Sequence, residues 1–241
     1  MKNPETNDLK HQISQLDIEV KRICSADENE PLLDGIINPS EYITAPVKIL
    51  WILKEAYDEF DVNGNPVSSG WSYRDALNQN LSDFKSIKTW QRIAYTSYGI
   101  IENMEYDDMD DIKNETDVDD KVFAAIKKVA FININKLPAR TSSPFNDVKD
   151  AYQKFRDVLL HQISVFNPQI IIGGGTLTHF KNDLGLEPFL REGHNLKYYL
   201  KSDTLFIDAY HPSFPKGPSQ VEEYVNDIVR VVNEAKVIVA S

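Results

Sequence analysis

Lys48-Ile-Leu-Trp-Ile-Leu53 is the stretch of this chain that decides its fold class. Five consecutive apolar residues leave no polar side, which is typical of a strand that is buried on both faces of a parallel sheet. Three more short, largely apolar runs lie at residues 129–134, 169–172 and 205–209. Helical patterns separate the four runs, so the sequence predicts an α/β protein: a three-layer α/β/α sandwich with a central, mainly parallel, four-stranded sheet.

Helical periodicity accounts for much of the remaining chain. The pattern predicts a candidate edge strand near residues 196–200, a short helix after the third strand, and longer helical segments at residues 8–30, 71–104, 121–128, 148–166 and 219–235. Asn167-Pro168 is a typical helix stop. We expect residues 1–44 to form an N-terminal helical extension and residues 45–241 to form the α/β domain.

The composition is ordinary for a globular protein. The 241 residues are 41% hydrophobic and 10% aromatic, and no stretch approaches the roughly 20 apolar residues of a membrane helix. The first residues lack the apolar segment of a signal peptide, so we expect a cytoplasmic protein with no membrane partner. The one cysteine, Cys24, excludes an internal disulfide and any multi-cysteine metal or iron–sulfur site supplied by this chain alone. We expect no metal and no cofactor.

The negative charge is concentrated in one segment. The net charge is −11, but residues 105–120 hold nine acidic residues and one lysine. Outside that segment there are 28 acidic and 25 basic residues, so net charge does not exclude a DNA substrate. We expect this acidic insertion to be a solvated or disordered loop, with a role as a phosphate mimic or protein-binding segment as the alternative.

Polar or glycine residues follow each of the four apolar runs. In a parallel sheet these carboxyl ends share one edge, where ligands of open α/β sheets bind. A carboxylate, an amide and an imidazole there can orient water, pair with a polar heterocycle and stabilise a developing oxyanion. The residues are Glu55 and Asp58, Asn133 and Asn135, Gly173 to Gly175, and His211, which precedes Pro212-Ser213.

Each of these residues also has a structural explanation. Asn133 could satisfy buried backbone groups, Glu55 could favour a helix N-terminus, and the glycines could form a tight turn. Trp71 and Tyr73 are more often core residues than stacking platforms. The other four histidines have no metal-ligand spacing. The order and spacing of the set, rather than any one residue, point to a site.

The chain resembles the uracil-DNA glycosylase superfamily over residues 45–235, most closely its iron–sulfur-type bacterial and archaeal branch. The family's Gly-Glu-Ala-Pro-Gly and Gly-x-Pro-Phe motifs are similar to Leu53-Lys-Glu-Ala-Tyr-Asp58 and Gly64-Asn-Pro-Val67. Its strand ending in Asn, with Lys and Pro nearby, looks like Phe131-Ile-Asn-Ile-Asn-Lys-Leu-Pro138. Pro168-Gln-Ile-Ile-Ile-Gly-Gly174 and Tyr210-His-Pro-Ser213 match the last two blocks, and Tyr-His-Pro-Ser is unchanged.

The resemblance assigns roles to residues of this chain. It implies that Asn133 pairs with a flipped uracil, that His211 stabilises charge on the base oxygen, and that Glu55 is the catalytic carboxylate. In a second register of the first motif, Tyr57 is the residue that excludes a thymine methyl. The loop of Pro212, Ser213 and Phe214 would probe the minor groove and wedge the base stack.

Three departures from the family pattern concern the first motif and the cofactor. Lys54 replaces the opening Gly and Tyr57 replaces the Pro. Val67 stands where the family has a stacking Phe, so Trp71 or Tyr73 would have to stack on the base. The cluster cysteines are absent, so we expect no iron–sulfur cluster.

The resemblance implies a glycosylase that hydrolyses the N-glycosidic bond of uracil or a related damaged base in DNA. Two alternatives stay open. The first is a catalytically inactive protein of the same fold that binds nucleic acid or a base. The second is a hydrolase or transferase of small nucleotide-like molecules.

Overall fold

One seven-stranded mixed sheet organises the protein in a computed structural model. The structure describes residues 4–26, 30–57, 70–109, 120–139, 145–187, 191–193, 196–214 and 217–240. The strand order is β1-β3-β2-β4-β7-β6-β5. The strands are β1 Gly35–Ile36, β2 Ile49–Tyr57, β3 Val129–Ala139, β4 Ile170–Gly174, β5 Arg191–Gly193, β6 Leu196–Lys201 and β7 Thr204–Ala209.

The four apolar runs form the parallel centre of this sheet, as the sequence predicts. β2 lies between β3 and β4 with all three parallel, and β7 runs parallel to β4. Trp51 of β2 is in register with Phe131 of β3 and Ile172 of β4. The carboxyl ends of the four strands therefore lie on one edge of the sheet.

The sheet has seven strands rather than the predicted four. β6 is the predicted edge strand and pairs antiparallel with β7, while β5 and β1 add antiparallel to β6 and β3. A two-residue strand cannot show a period-2 pattern, and β5 contains the polar sequence Arg191-Glu-Gly193. β1 and β5 form by pairing with the edge of an existing strand, so no apolar run in the sequence predicts them.

Helices account for most of the other described residues, and their positions agree with the predicted helical segments. Short 3₁₀ turns occur at residues 81–84, 106–108, 125–128 and 177–179. The helices are α1 Pro4–Ser25, α2 Pro39–Thr44, α3 Tyr73–Gln79, α4 Lys88–Glu102, α5 Asp120–Ala124, α6 Phe145–Phe166, α7 Lys181–Leu184 and α8 Pro218–Ala240. No helix within the described ranges is long and apolar enough to cross a membrane.

Two buried clusters lie on opposite faces of the sheet. Along β2, Trp51 and Leu53 pack into a cluster with α4, α5 and α8, which we call the α4/α8 cluster. Leu50 and Ile52 pack into a second cluster with α1 and α6, the α1/α6 cluster. This alternation is the period-2 geometry of a strand. The alternation therefore assigns each strand residue near the sheet edge to the α4/α8 side or the α1/α6 side.

The N-terminal helix shares the core of the α/β domain. Ile13, Leu16, Val20 and Cys24 of α1 are buried in the α1/α6 cluster. The chain then supplies β1 at the edge of the sheet. The described residues between 4 and 44 thus contribute to the sheet and its core and are not set apart as an extension.

The beginning of the acidic insertion is packed, which corrects the expectation of a solvated loop for residues 105–109. Tyr106 and Met109 are buried in the α4/α8 cluster. Glu105 accepts two hydrogen bonds from Arg230 of α8, and Asn226 of α8 accepts the Tyr106 amide at 2.6 Å. Apolar residues within the acidic run anchor it here. Residues 110–119 lie outside the described residues.

Candidate functional site

The turn after β4 brings the ends of β2 and β7 together. A Cβ atom added to Gly174 would lie 3.1 Å from Cδ of Pro212 and 3.2 Å from Cδ2 of Leu53. Gly175 has a φ of +70° and donates its amide to the Ala209 carbonyl at 2.7 Å. Close packing and a left-handed conformation both favour glycine here. The glycines therefore allow the His211 loop to approach the end of β2.

The His211 ring is held in one tautomer. The Ser213 amide donates to Nδ1 of His211 at 3.2 Å, and the Ser213 hydroxyl lies 2.8 Å from the same nitrogen. A backbone amide can only donate, so Nδ1 is an acceptor and a neutral ring carries its proton on Nε2. The Phe214 amide closes the turn by donating to the His211 carbonyl at 2.8 Å. His211 thus presents an N–H donor at the sheet edge.

His211 is neutral at physiological pH. Burial, together with a smaller contribution from the positive charge of Lys54, lowers the pKa of His211 to about 4. An imidazole with this pKa donates a hydrogen bond from Nε2 without carrying a charge. Such a donor can stabilise an oxyanion as it develops.

Asn133 of β3 and Glu55 of β2 occupy the same face on neighbouring parallel strands. Asn133 is in register with Leu53, and Glu55 is in register with Asn135. Because Ile132 and Ile134 pack into the α1/α6 cluster, alternation places Asn133 on the α4/α8 side, and Glu55 follows Leu53 to that side. Asn133 is 3% exposed and Glu55 is half-buried. The strand pairing shifts register just beyond Glu55, a common feature beside functional sites.

A buried polar network fixes the backbone of β3 at Asn133. The backbone N–H of Asn133 donates to a carboxylate oxygen of Asp34 at 2.7 Å. Lys136 donates to both Asp34 oxygens, at 2.9 and 2.8 Å, and to Gln162 at 2.8 Å, while Gln162 donates to Asp34 at 3.0 Å. Burial lowers the pKa of Lys136, and the Asp34 carboxylate opposes that shift. Every charged group in the network is paired, as buried charges require.

The two aromatic candidates differ in their environments. Tyr73 packs against Trp90 and Phe131 with ring centroids 5.7 and 5.6 Å away, and its hydroxyl accepts from the Trp90 indole. Trp71 packs against Tyr73 at 4.8 Å, and its buried indole N–H has no hydrogen-bond partner within the described part of the chain. Tyr73 is therefore a core residue, whereas Trp71 retains a donor that a ligand could use.

The three residues predicted to form the DNA wedge lie around an exposed aromatic pair. Phe214 and Tyr210 are each 56% exposed, and their rings stack with centroids 4.9 Å apart. Pro212 is buried under the turn, and Ser213 is exposed. A cavity of about 280 Å³ opens beside the pair and is lined by Leu196, Tyr210, Phe214, Gln220, Glu223, Tyr224 and Asp227. The His211 loop therefore presents aromatic surface next to a concave one.

Several residues of the predicted motifs lie wholly or partly outside the described residues. The Tyr57 backbone ends β2 opposite Ala139, but its side chain lies outside the described residues, as do Asp58, Gly64 and Val67. Asp34 has no signal in the sequence, because a lone acidic residue before a two-residue strand carries no pattern. Lys136 is the lysine of the Phe131–Pro138 motif that resembles the glycosylase family. That resemblance is the sequence signal that could have identified it.

Comparison with known proteins does not identify the site. Across the described ranges, no group of three or more His, Cys, Asp or Glu side chains is placed to hold a metal ion. No protein-family model matches the chain, and no curated protein matches it. Its function therefore has to be inferred from the geometry of the sheet edge.

Proposed function

We propose that this protein is a DNA glycosylase that removes uracil or a related damaged base from DNA. The observation that carries the proposal is His211, a neutral imidazole whose Nδ1 is occupied and whose Nε2–H is therefore available at the carboxyl edge of the sheet. The matching order of Asn133, Gly173 to Gly175 and Tyr210-His-Pro-Ser213 supports the same family.

The fold supports a ligand at this edge. The two buried clusters on opposite faces of the sheet are consistent with a three-layer α/β/α sandwich. In such open sheets, ligands bind outside the carboxyl ends of the strands. Asn133 of β3 pairs with Leu53 of β2, one position beyond the pairing of Ile52 with Gly173 near the end of β4. Glu55 lies two residues further along β2, and His211 follows the end of β7.

The chemistry follows from the residues at the edge. The target nucleotide rotates out of the stack, and the Asn133 carboxamide pairs with the polar edge of the base. The bond between the sugar C1′ and the base nitrogen breaks, and its electron pair stays on the base. The His211 Nε2–H stabilises the charge that develops on the base oxygen. Glu55 orients a water molecule that adds to C1′, accepts its proton and leaves an abasic site.

Two aromatic residues would contact the DNA. One would contact the flipped base, and the other would fill the gap that the base leaves in the stack. Trp71, with its unpartnered indole N–H, is the residue that would contact the base in place of the family's phenylalanine. Phe214, stacked on Tyr210 and largely exposed, would enter the gap in the duplex. Apolar wedges of this kind hold a kinked or opened base step.

Base release from defined oligonucleotides tests the proposal. Strands with one uracil, single-stranded or opposite G or A, are incubated with enzyme in excess, and abasic sites are revealed by alkaline cleavage. Strands containing hypoxanthine or xanthine define the range of bases. We expect release from at least one uracil substrate. Binding without release from any strand would instead identify an inactive binding protein, and release from mononucleotides alone would identify a hydrolase of small molecules.

A further inference from the structure

Lys54 places a positive charge at the sheet edge beside His211. A Cβ atom added to Gly175 would lie 3.9 Å from Cε of Lys54 and 3.8 Å from the His211 amide nitrogen. Strand alternation puts Lys54 on the α1/α6 side, opposite to Glu55. Lys54 also stands where the resembling family has glycine, so this charge belongs to the present chain.

Lys54 is half-buried without a neutralising carboxylate. No ion pair joins it to any residue within the described ranges. Partial burial of an ammonium group costs free energy unless an opposite charge or hydrogen-bond acceptors compensate it. In a chain with a net charge of −11, an unneutralised lysine at a ligand-binding edge indicates an anionic ligand.

A second cation, Lys149, lies on the face of α6 that meets His179. The His179 ring stacks on Phe145 at 4.9 Å and lies 6.1 Å from Tyr152. Lys149 is four residues after Phe145 and three before Tyr152, so all three share the face of α6 that meets His179. Lys149 is exposed, and Asp183, which contacts Tyr152, is already paired with Arg156.

The electrostatics agree with this placement. Burial lowers the pKa of His179, and the charges of Lys54 and Lys149 lower it further. Lys54 also lowers the pKa of His211. Both imidazoles therefore lie within the field of Lys54, and His179 is a neutral donor beside two ammonium groups.

We propose that Lys54, Lys149 and His179, here called the basic edge cluster, bind a backbone phosphate of the DNA strand that carries the flipped base. The proposal rests on the proposed glycosylase function and names the contact that holds the polymer. A phosphate there receives two ammonium groups and one imidazole N–H, and its position beside His211 orients the nucleotide above the sheet edge. The exposed Phe145 ring, stacked on His179, gives the neighbouring base an apolar surface.

The salt dependence of DNA binding tests the basic edge cluster. The probe is a fluorescently labelled single strand, with or without one uracil, titrated with protein at several NaCl concentrations. We expect Lys54→Gln to weaken binding of both strands by about tenfold. The slope of log affinity against log salt should become shallower by about 0.7, because one phosphate contact is lost. Lys149→Gln should act in the same direction.

Two further variants separate a phosphate contact from a general charge effect. Lys54→Arg keeps the charge and should keep most of the affinity and the slope. Lys48→Gln removes one charge just before β2, at the opposite edge of the sheet and about 20 Å along the strand, and should leave the slope unchanged. An unchanged slope in both Lys54→Gln and Lys149→Gln, with uracil still released by the wild type, would overturn the cluster but not the glycosylase function. Failure of the wild type to bind either strand, together with no uracil release from duplex substrates, would overturn both.

Discussion

At the scale of single residues, the protonation of His211 has the clearest consequences. Its Nδ1 is occupied by the Ser213 amide and hydroxyl, and burial with the nearby Lys54 charge lowers its pKa to about 4. A ring prepared in this way acts as a neutral hydrogen-bond donor. It does not need to gain or lose a proton between pH 5 and 8.

An NMR titration measures this pKa directly. The His211 ring resonances should titrate with a midpoint near pH 4, and Lys54→Gln should raise that midpoint because a nearby positive charge is lost. Between pH 6.5 and 4 the unfolded chain binds a proton at this position that the native chain does not. The contribution of His211 to the free energy of unfolding is therefore lost as the pH falls through that window. A midpoint at or above 6.5 would contradict the assigned environment.

The two aromatic candidates should respond differently to truncation. Tyr73 packs among several rings, so Tyr73→Ala should lower the free energy of unfolding by about 3 kcal/mol. Trp71→Phe removes the unpartnered indole N–H and keeps an aromatic ring, so it should change stability little while weakening the binding of a uracil strand. Urea unfolding and DNA titration measure the two effects. Equal losses in the free energy of unfolding in both variants would contradict the different roles assigned to Tyr73 and Trp71.

At the scale of elements, the network of Asp34, Lys136 and Gln162 holds the end of β3 on β1 and α6. Its charged side chains are no more than 1% exposed, so each depends on the other. A buried ion pair is weak evidence for stability in itself, but removing one partner leaves an uncompensated charge. The network links the residue before β1, and helix α6, to the strand that carries Asn133.

Lys136→Met should lower the free energy of unfolding by roughly 3–5 kcal/mol, because the Asp34 carboxylate stays buried without its partner. The double variant Asp34→Asn with Lys136→Met removes both charges and should recover part of that loss. Urea unfolding of the wild type, the single and the double variant measures both steps. A single variant within about 0.5 kcal/mol of the wild type would show that the network does not hold β3.

The elements show which parts of the fold could be predicted. The four apolar runs and the stop at Asn167, which adopts a φ of 45°, carry their signal in local sequence. β1 and β5 form by pairing with a neighbouring strand. β3 continues to Ala139 through the polar residues after Asn133 because β2 extends beside it. Pairing energies of this kind depend on the partner, so a single sequence does not display them.

At the scale of the whole molecule, α1 completes one of the two cores. Leu16→Ala should lower the free energy of unfolding by about 2–5 kcal/mol, since its side chain is 2% exposed in the α1/α6 cluster. Ile18→Ala on the same helix, at a position 57% exposed, should change it by less than about 0.5 kcal/mol. Thermal unfolding of the two variants gives the comparison. Similar small effects for both would mean that α1 does not belong to the core.

The candidate site was only partly visible in the sequence. The placement of Asn133 and Glu55 on neighbouring parallel strands, and of His211 after β7, follows from pattern and order. The continuation of β3 to Ala139 beyond Asn133 does not. The ring state of His211, the support of Asn133 by Asp34 and the charge of Lys54 beside Gly175 depend on contacts between distant segments. Such contacts leave no periodic trace along the chain.

Single-turnover release of uracil by the wild type and by His211→Gln is the most direct test of the central claim. With enzyme in excess over a uracil-containing single strand, the wild type should generate abasic sites. His211→Gln should do so about 10²–10³ times more slowly, as expected for the loss of one oxyanion donor. Equal rates for the two proteins, or no release by the wild type, would contradict the account.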